Sequence, residues 1–459
     1  MAKGRRGFDE TGDLVVVGAG MAGFCCAIEA ADRGASVILL EKEAEPGGSS
    51  LLSGGSFAFA GTDQQRTVGI EDDAERMLAD LRDVGRHKNN EALLQAFGEE
   101  QFATYRWLES LGFEFGPPKV ASGQSVPRTH RADPIGMFAL LAEAARRTGR
   151  VKLLLRTPAT RLLRDGTVTG VLTERGSTIG AIRGVVLTTG GFMRSEALLA
   201  NFAPNQEHAL RMGGAGCTGD GLRMAWQFGA DLCDMGYIRG TFGIHPCAGP
   251  ENHHFLHSIY MGAIAVNRLG RQFVDESLSY KLVGDACLQQ PGAIGFQIFD
   301  QGVMDRSLFD GSSFDLRAEL RAGRLIQAST LPSLAERLGI DPDGLAATLD
   351  RYHGDLARGE DREFGRTSLS SGWGKPSPIG RAPFYGYPTR SAVVGTYCGL
   401  VVDRLLRVRD VFGDPIPGLF AAGHVTGGFH GAGYMTGTAL SKAAVFGRLA
   451  GRAAVAAGV

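Results

Sequence analysis

After Asp13 the chain turns apolar and β-branched, Leu14-Val15-Val16-Val17, and the run stops at Gly18-Ala-Gly20-Met-Ala-Gly23. A helical stretch follows to Arg33-Gly34, then a second run from Ser36 to Leu40, closed by Glu41. Strand, glycine turn, helix and strand in that order predict a βαβ unit. Farther along, the pattern predicts helices over Glu91–Leu111 and Ile135–Arg147, strands over Val151–Thr157 and Val168–Thr173, and a run Gly184–Thr189 ending in Gly190-Gly191. A helix is expected from Pro342 to Ala357, opened by Asp341 and closed by Gly359. Phe364–Gly380, rich in Gly, Ser and Pro, reads as a long loop. The last predicted helix, Thr438 to Ala456, is Ala-rich and amphipathic, which by itself means core packing. No internal repeat or low-complexity tract interrupts this order.

The glycine turn brings the first candidate chemistry. Gly18 permits the tight turn, Gly20 lets the backbone approach a pyrophosphate, Gly23 lets helix pack on strand, and the helix N-terminus faces the negative charge. Glu41 ends the second strand, 23 residues after Gly18, where a carboxylate accepts hydrogen bonds from a ribose. A bare G-x-G-x-x-G is a weak signal; with its strand, helix and acid in order it points to dinucleotide binding. A second match, Gly214-Ala-Gly216-Cys-Thr-Gly219, follows His208-Ala-Leu-Arg-Met-Gly, which holds no β-branched run, and no strand-terminal acid comes after it. It is not a second nucleotide fold. Asp220-Gly221 there opens the helical pattern Leu222 to Phe228, as a cap that could also point toward a ligand.

Composition narrows the classes. A chain of 459 residues suggests two or three domains. With 48 basic and 49 acidic side chains the net charge is -1, which disfavours a general nucleic-acid binder. Glycine is the outlier: 67 of 459, about 15% against a usual ~7%, without a Gly-X-Y period, so it serves turns and close backbone approaches. The seven cysteines are scattered and never spaced C-x-x-C, which predicts reduced thiols, no structural zinc and no c-type haem. Arg5-Arg6-Gly7-Phe8 only faintly resembles a twin-arginine signal, since the acidic residues Asp9, Glu10 and Asp13 stand where its apolar stretch would begin. No run reaches the ~18 apolar residues of a membrane span, and the expectation is a cytoplasmic protein without one.

Several further segments, in this order, resemble one flavoprotein superfamily that includes soluble fumarate reductases, urocanate reductases and 3-ketosteroid dehydrogenases. They are Glu45-Pro-Gly-Gly-Ser-Ser-Leu-Leu-Ser-Gly-Gly55, Thr188-Thr-Gly-Gly191, Thr218-Gly-Asp-Gly221, Gly270-Arg-Gln-Phe-Val-Asp-Glu276, Glu363-Phe-Gly-Arg366 and Ile416-Pro-Gly-Leu-Phe-Ala-Ala-Gly423. The resemblance implies an α/β fold: a Rossmann-like FAD-binding domain interrupted by an α+β capping domain. The expected division is 1–240 for the first part of the FAD domain, 241–390 for the cap and 391–459 for the return. The resemblance implies FAD rather than NAD, held by Gly18, Gly20, Met21, Ala22, Gly23, Glu41, Lys42, Gly48, Ser49, Ser53, Gly54, Gly55, Ala159, Thr189, Gly190, Gly191, Asp220, Gly423, His424, Thr438, Ala439 and Leu440. Some relatives attach FAD covalently through a His after the Gly-Gly pair; here Ser49-Ser50-Leu51-Leu52 has none, so non-covalent FAD is expected. His424 stands where relatives often carry Glu, and is as well read as a structural histidine as a flavin contact.

Carried over residue by residue, the fumarate-reductase pattern breaks at its arginines. An Arg proton donor expected after the Phe-Val-Asn/Asp-Glu stretch is replaced in Glu276-Ser-Leu-Ser-Tyr280, and the Arg of a His-Gly-Ala-Asn-Arg-Leu-Gly-Gly segment falls on Tyr434 in His430-Gly-Ala-Gly-Tyr434-Met-Thr-Gly437. A further His falls on Gly395, while that of His-Pro-Thr survives as His245 in His245-Pro-Cys. A dicarboxylate needs guanidinium forks, and a phenol supplies neither charge nor fork, so fumarate and succinate are disfavoured. Two phenols suit a ketone: one polarises the carbonyl and a second, deprotonated, removes the α-proton. The 3-ketosteroid dehydrogenase branch, closest in its Δ4-(5α) subgroup, is similar here and implies Tyr280 as base and Tyr434 as carbonyl polariser, with His245, Thr436 and Gly437 binding substrate. A phenol's reference pKa is ~10, so the base needs a nearby cation or hydrogen bonds; Lys281, Arg239 and His245 are the candidates. Arg128-Thr-His130-Arg131 is expected to give structural support.

The expected activity is FAD-dependent α,β-desaturation of a cyclic ketone, a 3-ketosteroid or a smaller 4-oxocyclohexanecarboxylate-like compound, with a quinone-like acceptor or oxygen taking the electrons. Reduction of an activated C=C bond and a non-catalytic flavin-binding role are the alternatives.

Overall fold

The computed structural model describes residues 7–238, 240–249 and 255–457, so Arg5, Arg6 and Arg239 lie outside the described residues. The first βαβ unit forms strand Glu10–Val17, helix Met21–Asp32 and strand Val37–Leu40, with Leu14 to Val17 in parallel register against Val37 to Leu40. Strand Thr178–Leu187 flanks the first strand on its other side, also parallel, and strand Pro415–Ala421 continues the sheet beyond it. Val151–Leu154 extends the opposite edge parallel to Val37–Leu40. The chain therefore returns after nearly four hundred residues to finish the sheet that it began. The C-terminal helix, Thr438–Ala456, packs on the first helix through two glycines: a Cβ at Gly447 would lie 2.4 Å from the Ala22 carbonyl oxygen, and one at Gly451 2.5 Å from that of Cys26. Glu29 ties the same helices by pairing with Arg448 at 2.8 Å and Arg452 at 3.4 Å.

The chain divides into two compact units. The first comprises Met1–Leu198, Gly213–Ile238 and Gly395–Val459, and the second Leu199–Met212 with Arg239–Val394. Leu199–Met212 belongs to the second unit because Leu210 and Arg211 pair in parallel with Ala392 and Val393, and because Gln206 donates to Asp285 at 2.9 Å. The second unit is built on an antiparallel sheet in the order Thr241–Ile244, Phe384–Val393, Ile294–Asp300, Ile264–Val266. Its strand Ile294–Asp300 is buried throughout, and its side chains alternate between two apolar clusters: Ile294, Phe296 and Ile298 in one, Phe299 in the other.

Local chemistry explains where the observed elements depart from expectation. The strand from Val151 ends at Leu154 and not Thr157, because Arg156 adopts φ 51° and the Arg156 and Thr157 N–H groups turn to the Glu43 and Glu41 carbonyls. The helix after the second glycine run spans Asp220–Trp226 and is capped by Gly219 at φ 80°; Asp220 is its first helical residue, not its cap. The helix predicted from Pro342 extends to Arg358 with Asp341 as N-cap, and Phe364–Gly380 is a loop carrying one 3-10 turn at Ser370–Gly372. Among the described residues no helix is long and apolar enough to cross a membrane.

Candidate active site

The site in the first unit starts at the glycine turn. Gly18 has φ 107°, and a Cβ there would lie 2.6 Å from the Thr188 carbonyl oxygen. A Cβ at Gly23 would lie 1.9 Å from the Gly18 oxygen, which closes that position to every other residue. Gly20, by contrast, has nothing nearer than 3.8 Å and leaves the first turn of the helix open, with no side-chain cap on its N-terminus. Thr188 Oγ1 holds the turn by donating to the Val17 and Gly18 carbonyls, at 3.0 and 2.8 Å. Glu41 accepts from the Ala19 N–H at 2.9 Å and the Glu43 N–H at 3.0 Å, so the acid at the strand end also braces the turn.

Five more glycine-bearing segments belong to the same unit. Ser50 Oγ accepts from the Met21 N–H at 3.4 Å, and Ser53 links the Ser50 carbonyl to the Gly55 N–H. Gly48 and Gly54 have open space where a Cβ would stand. Gly214 packs against Ser49 and Gly216 against Lys42, so the second glycine run closes on the segments that follow the first βαβ unit, and Gly221 just beyond it packs against Thr189. Lys42 Nζ donates to Thr218 at 2.6 Å and to Asp220 at 2.7 Å, which turns the Asp220 carboxylate toward the strand end. Ala159 is buried at the start of strand Ala159–Asp165, and Gly190 has φ 73°. Gly423, at φ 80°, would place a Cβ 3.0 Å from that of Ala22. The C-terminal helix begins at Thr438-Ala439-Leu440 behind Gly437, at φ 91°, without a side-chain cap.

Tyr434 lies in a cluster of four rings within the first unit. It stacks on Tyr397 with centroids 4.5 Å apart and planes 21° apart, and His430 stands 5.3 Å from Tyr434 and 5.2 Å from Tyr397. His424 meets Tyr397 edge-on at 5.1 Å. Tyr397 holds φ 55°, a left-handed conformation costly for an aromatic residue. Next to the cluster, the Thr436 N–H donates to Ser122 at 3.1 Å and its carbonyl accepts from Gln124 at 2.9 Å, which pins the segment before Gly437. Phe429 lies between His430 and the buried Lys442, whose Nζ is 5.8 Å from the Phe429 ring and donates to the Thr426 carbonyl at 2.9 Å. Burial pushes the Lys442 ammonium down to about 8, against the pull of Asp234.

Tyr280 opens helix Tyr280–Leu288 in the second unit, and its ring packs beside the apolar core there. It stacks on His257 at 5.6 Å with planes 23° apart, and Lys281 Nζ lies 5.9 Å from the Tyr280 centroid. His257 is held by Ser313 Oγ and the Phe242 carbonyl, both at 3.0 Å, and burial pushes it down to about 4. The two motif segments Gly270–Glu276 and Glu363–Arg366 meet in a buried pair, Arg366 to Glu276 at 2.9 Å. Burial pushes the Glu276 carboxyl up against the pull of Arg366. His245 stands edge-on to Tyr387 at 5.2 Å. Arg128 is fully buried between Asp72 and Asp80, and His130 is buried against Thr62.

A family model described as FAD binding domain matches residues 13–440. The chain belongs to this family. The flavoprotein is 32% identical to the probable fumarate reductase Ifc3 of Shewanella frigidimarina, over 97% of this chain and 75% of that one. It is 29% identical to the 4-oxocyclohexanecarboxylate 2-dehydrogenase of Sinomonas cyclohexanicum, over 96% of this chain and 92% of the relative. Among solved structures it is similar to the 3-ketosteroid-delta4-(5alpha)-dehydrogenase of Rhodococcus jostii RHA1, with TM-score 0.77, 26% identity and 99% of both chains covered. The fold is the α/β flavoprotein fold that the sequence motifs imply, and the protein is an FAD-dependent oxidoreductase.

The residues of the flavoprotein's first unit fit FAD. The Gly20 cradle and the uncapped helix start suit a pyrophosphate. Thr189 Oγ1 is buried with no hydrogen-bond partner among the described residues, as a hydroxyl facing a cofactor would be. Thr396 Oγ1 is in the same condition beside Gly191. Three residues of this region escaped the sequence analysis as site residues: Thr188, Tyr397 and His430. Thr188 stood in a quoted motif, and its flanking Gly190-Gly191 was the available signal. The left-handed backbone of Tyr397 leaves no mark in the sequence, because nothing distinguishes its φ from that of any other tyrosine.

Proposed function

We propose that this flavoprotein transfers hydrogen across a carbon–carbon bond next to a carbonyl, as an α,β-desaturase of a cyclic ketone. FAD, which we read as non-covalently bound, supplies the hydride acceptor. The replacement of a guanidinium by Tyr434, within a cluster made of Tyr397, His424 and His430, carries this reading. A carboxylate meets no fork there, whereas a ketone oxygen accepts one hydrogen bond from a phenol.

Tyr434 donates its O–H to the carbonyl oxygen and stabilises the charge that develops as the α-proton leaves, helped by Thr436 and the backbone at Gly437. Tyr280, as phenolate, takes the α-proton. Lys281 is the cation that favours that phenolate. His245 is the further substrate contact. Similarity to proteins named for 4-oxocyclohexanecarboxylate and for a 3-ketosteroid supports a cyclic ketone, of either ring size. Similarity to a protein named as a fumarate reductase favours a second reading, reduction of an activated C=C bond in the opposite direction.

Anaerobic flavin absorbance tests both. The purified protein receives in turn a saturated 3-ketosteroid, 4-oxocyclohexanecarboxylate and succinate. Bleaching by a ketone and not by succinate is the expected result, and the responding ketone reports ring size. Full FAD occupancy with no bleaching by any of them, and reoxidation of the dithionite-reduced flavin by an enone, would move the assignment to reduction.

A further inference from the structure

The second unit holds a thiol–imidazole pair whose thiol, Cys247, the reaction above does not use. His245 Nδ1 lies 2.8 Å from Cys247 Sγ, and the Cys247 backbone N–H points at the same Nδ1 from 3.2 Å. A nitrogen that accepts from a backbone N–H carries its lone pair there, so Nδ1 is the basic nitrogen of this ring and stands ready to take the thiol proton. The His245 ring is kept in place by Tyr387, edge-on at 5.2 Å.

The other six cysteines differ from Cys247 in access. Cys25, Cys26, Cys217, Cys287 and Cys398 are buried and Cys233 is half-buried, while Cys247 is exposed. Burial pushes Cys25, Cys233 and Cys287 up to about 12, and Cys26, Cys217 and Cys398 upward as well. Thiol chemistry at the surface of this chain is thus concentrated at one position with a base attached.

We propose that Cys247, with His245 as its base, is a covalent capture site for soft electrophiles of the α,β-unsaturated carbonyl class. His245 Nδ1 takes the thiol proton, and the sulfur forms a bond to the β-carbon of the alkene. The π pair moves through the α-carbon onto the carbonyl oxygen, and the resulting enolate recovers a proton at the α-carbon from the imidazolium or water. One S–H and one C=C π bond are lost, one S–C and one C–H bond form, and no oxidant, reductant or leaving group is required. The class follows from that balance, since an activated alkene is what a thiolate can take up unaided. The inference rests on the Cys247–His245 geometry and not on the ketone reading, which is scored by flavin absorbance rather than by protein mass.

The test incubates the FAD-loaded full chain with 2-cyclohexen-1-one near neutral pH and tracks intact mass, then peptide mapping. A single adduct on Cys247 is expected, absent in Cys247→Ser and retained in Cys233→Ser. His245→Asn is expected to slow the addition roughly tenfold, because an unassisted thiol is only a few per cent thiolate near pH 7. Without any substitution, Cys247 is expected to react faster than free N-acetylcysteine in the same buffer, also by roughly tenfold. Labelling that persists in Cys247→Ser, or maps to another cysteine, overturns the proposal. So does a wild-type rate no greater than that of N-acetylcysteine.

Discussion

The two tyrosines of the proposed reaction, Tyr434 and Tyr280, have surroundings that differ in kind. Tyr434 belongs to a ring cluster assembled from Tyr397, His424 and His430, in the segment that leads into the uncapped start of the C-terminal helix. Tyr280 sits at the start of its own helix and stacks on a histidine that burial keeps neutral, with a lysine over its ring. The first setting suits a phenol that donates a hydrogen bond from a fixed ring. The second places a cation, Lys281, over the ring that the proposal uses as base. The proposed reaction uses one residue type as acid in one unit and as base in the other.

The contrast can be broken by experiment. Tyr280→Phe is expected to keep FAD and abolish flavin reduction by ketone in anaerobic absorbance; reduction at the wild-type rate would remove Tyr280 as base. Tyr434→Phe should cost on the order of 3 kcal/mol of transition-state stabilisation, a few hundredfold in kcat/KM, as deletion of one oxyanion donor does. An unchanged rate would assign carbonyl polarisation to backbone N–H groups. Acid stability reports on the histidine beside Tyr280. His257 is held down to about 4 by burial while an unfolded histidine titrates near ~6.5, so the unfolded chain binds the extra proton between those values. Stability from a neutral His257 is fully present above pH ~6.5 and is lost as pH falls toward 4, on the order of 3 kcal/mol in all. Urea midpoints against pH should fall more steeply in wild type than in His257→Gln, where the buried His130, also lowered by burial, remains; equal slopes would mean that His257 is not the group responsible. The smallest effect is expected for Tyr397→Phe, which keeps the stack on Tyr434 and should change kcat/KM less than about tenfold, or 1.4 kcal/mol. A larger loss would show that the Tyr397 hydroxyl contributes directly.

The two glycine runs show how far letters carry. Gly18 to Gly23 and Gly214 to Gly219 share one spacing, and the strand before the first was legible from the residues, whereas the two-residue strand Leu210–Arg211 before the second was not, because it pairs with Ala392 and Val393 far along the chain. The role of the second was not, because it depends on Gly214 and Gly216 closing on Ser49 and Lys42 from far along the chain. Asp220 taught the same lesson: an acid at a helix start reads as a cap, yet its carboxylate belongs to Lys42.

Local periodicity and the turn glycines were enough to set the first βαβ unit and its glycine turn, and the ordered motifs, through the family they resemble, implied the α/β flavoprotein fold and FAD. Each of these depends on residues a few positions apart, whose backbone preferences and burial pattern act without the rest of the chain. Tertiary packing alone decided that Leu199–Met212 joins the second unit, that Tyr397 completes the ring cluster in a left-handed conformation, and that Cys247 is the thiol left accessible beside an imidazole. Those outcomes depend on contacts between distant segments, on which burial or exposure is decided by the partner each side chain meets and not by its neighbours in sequence.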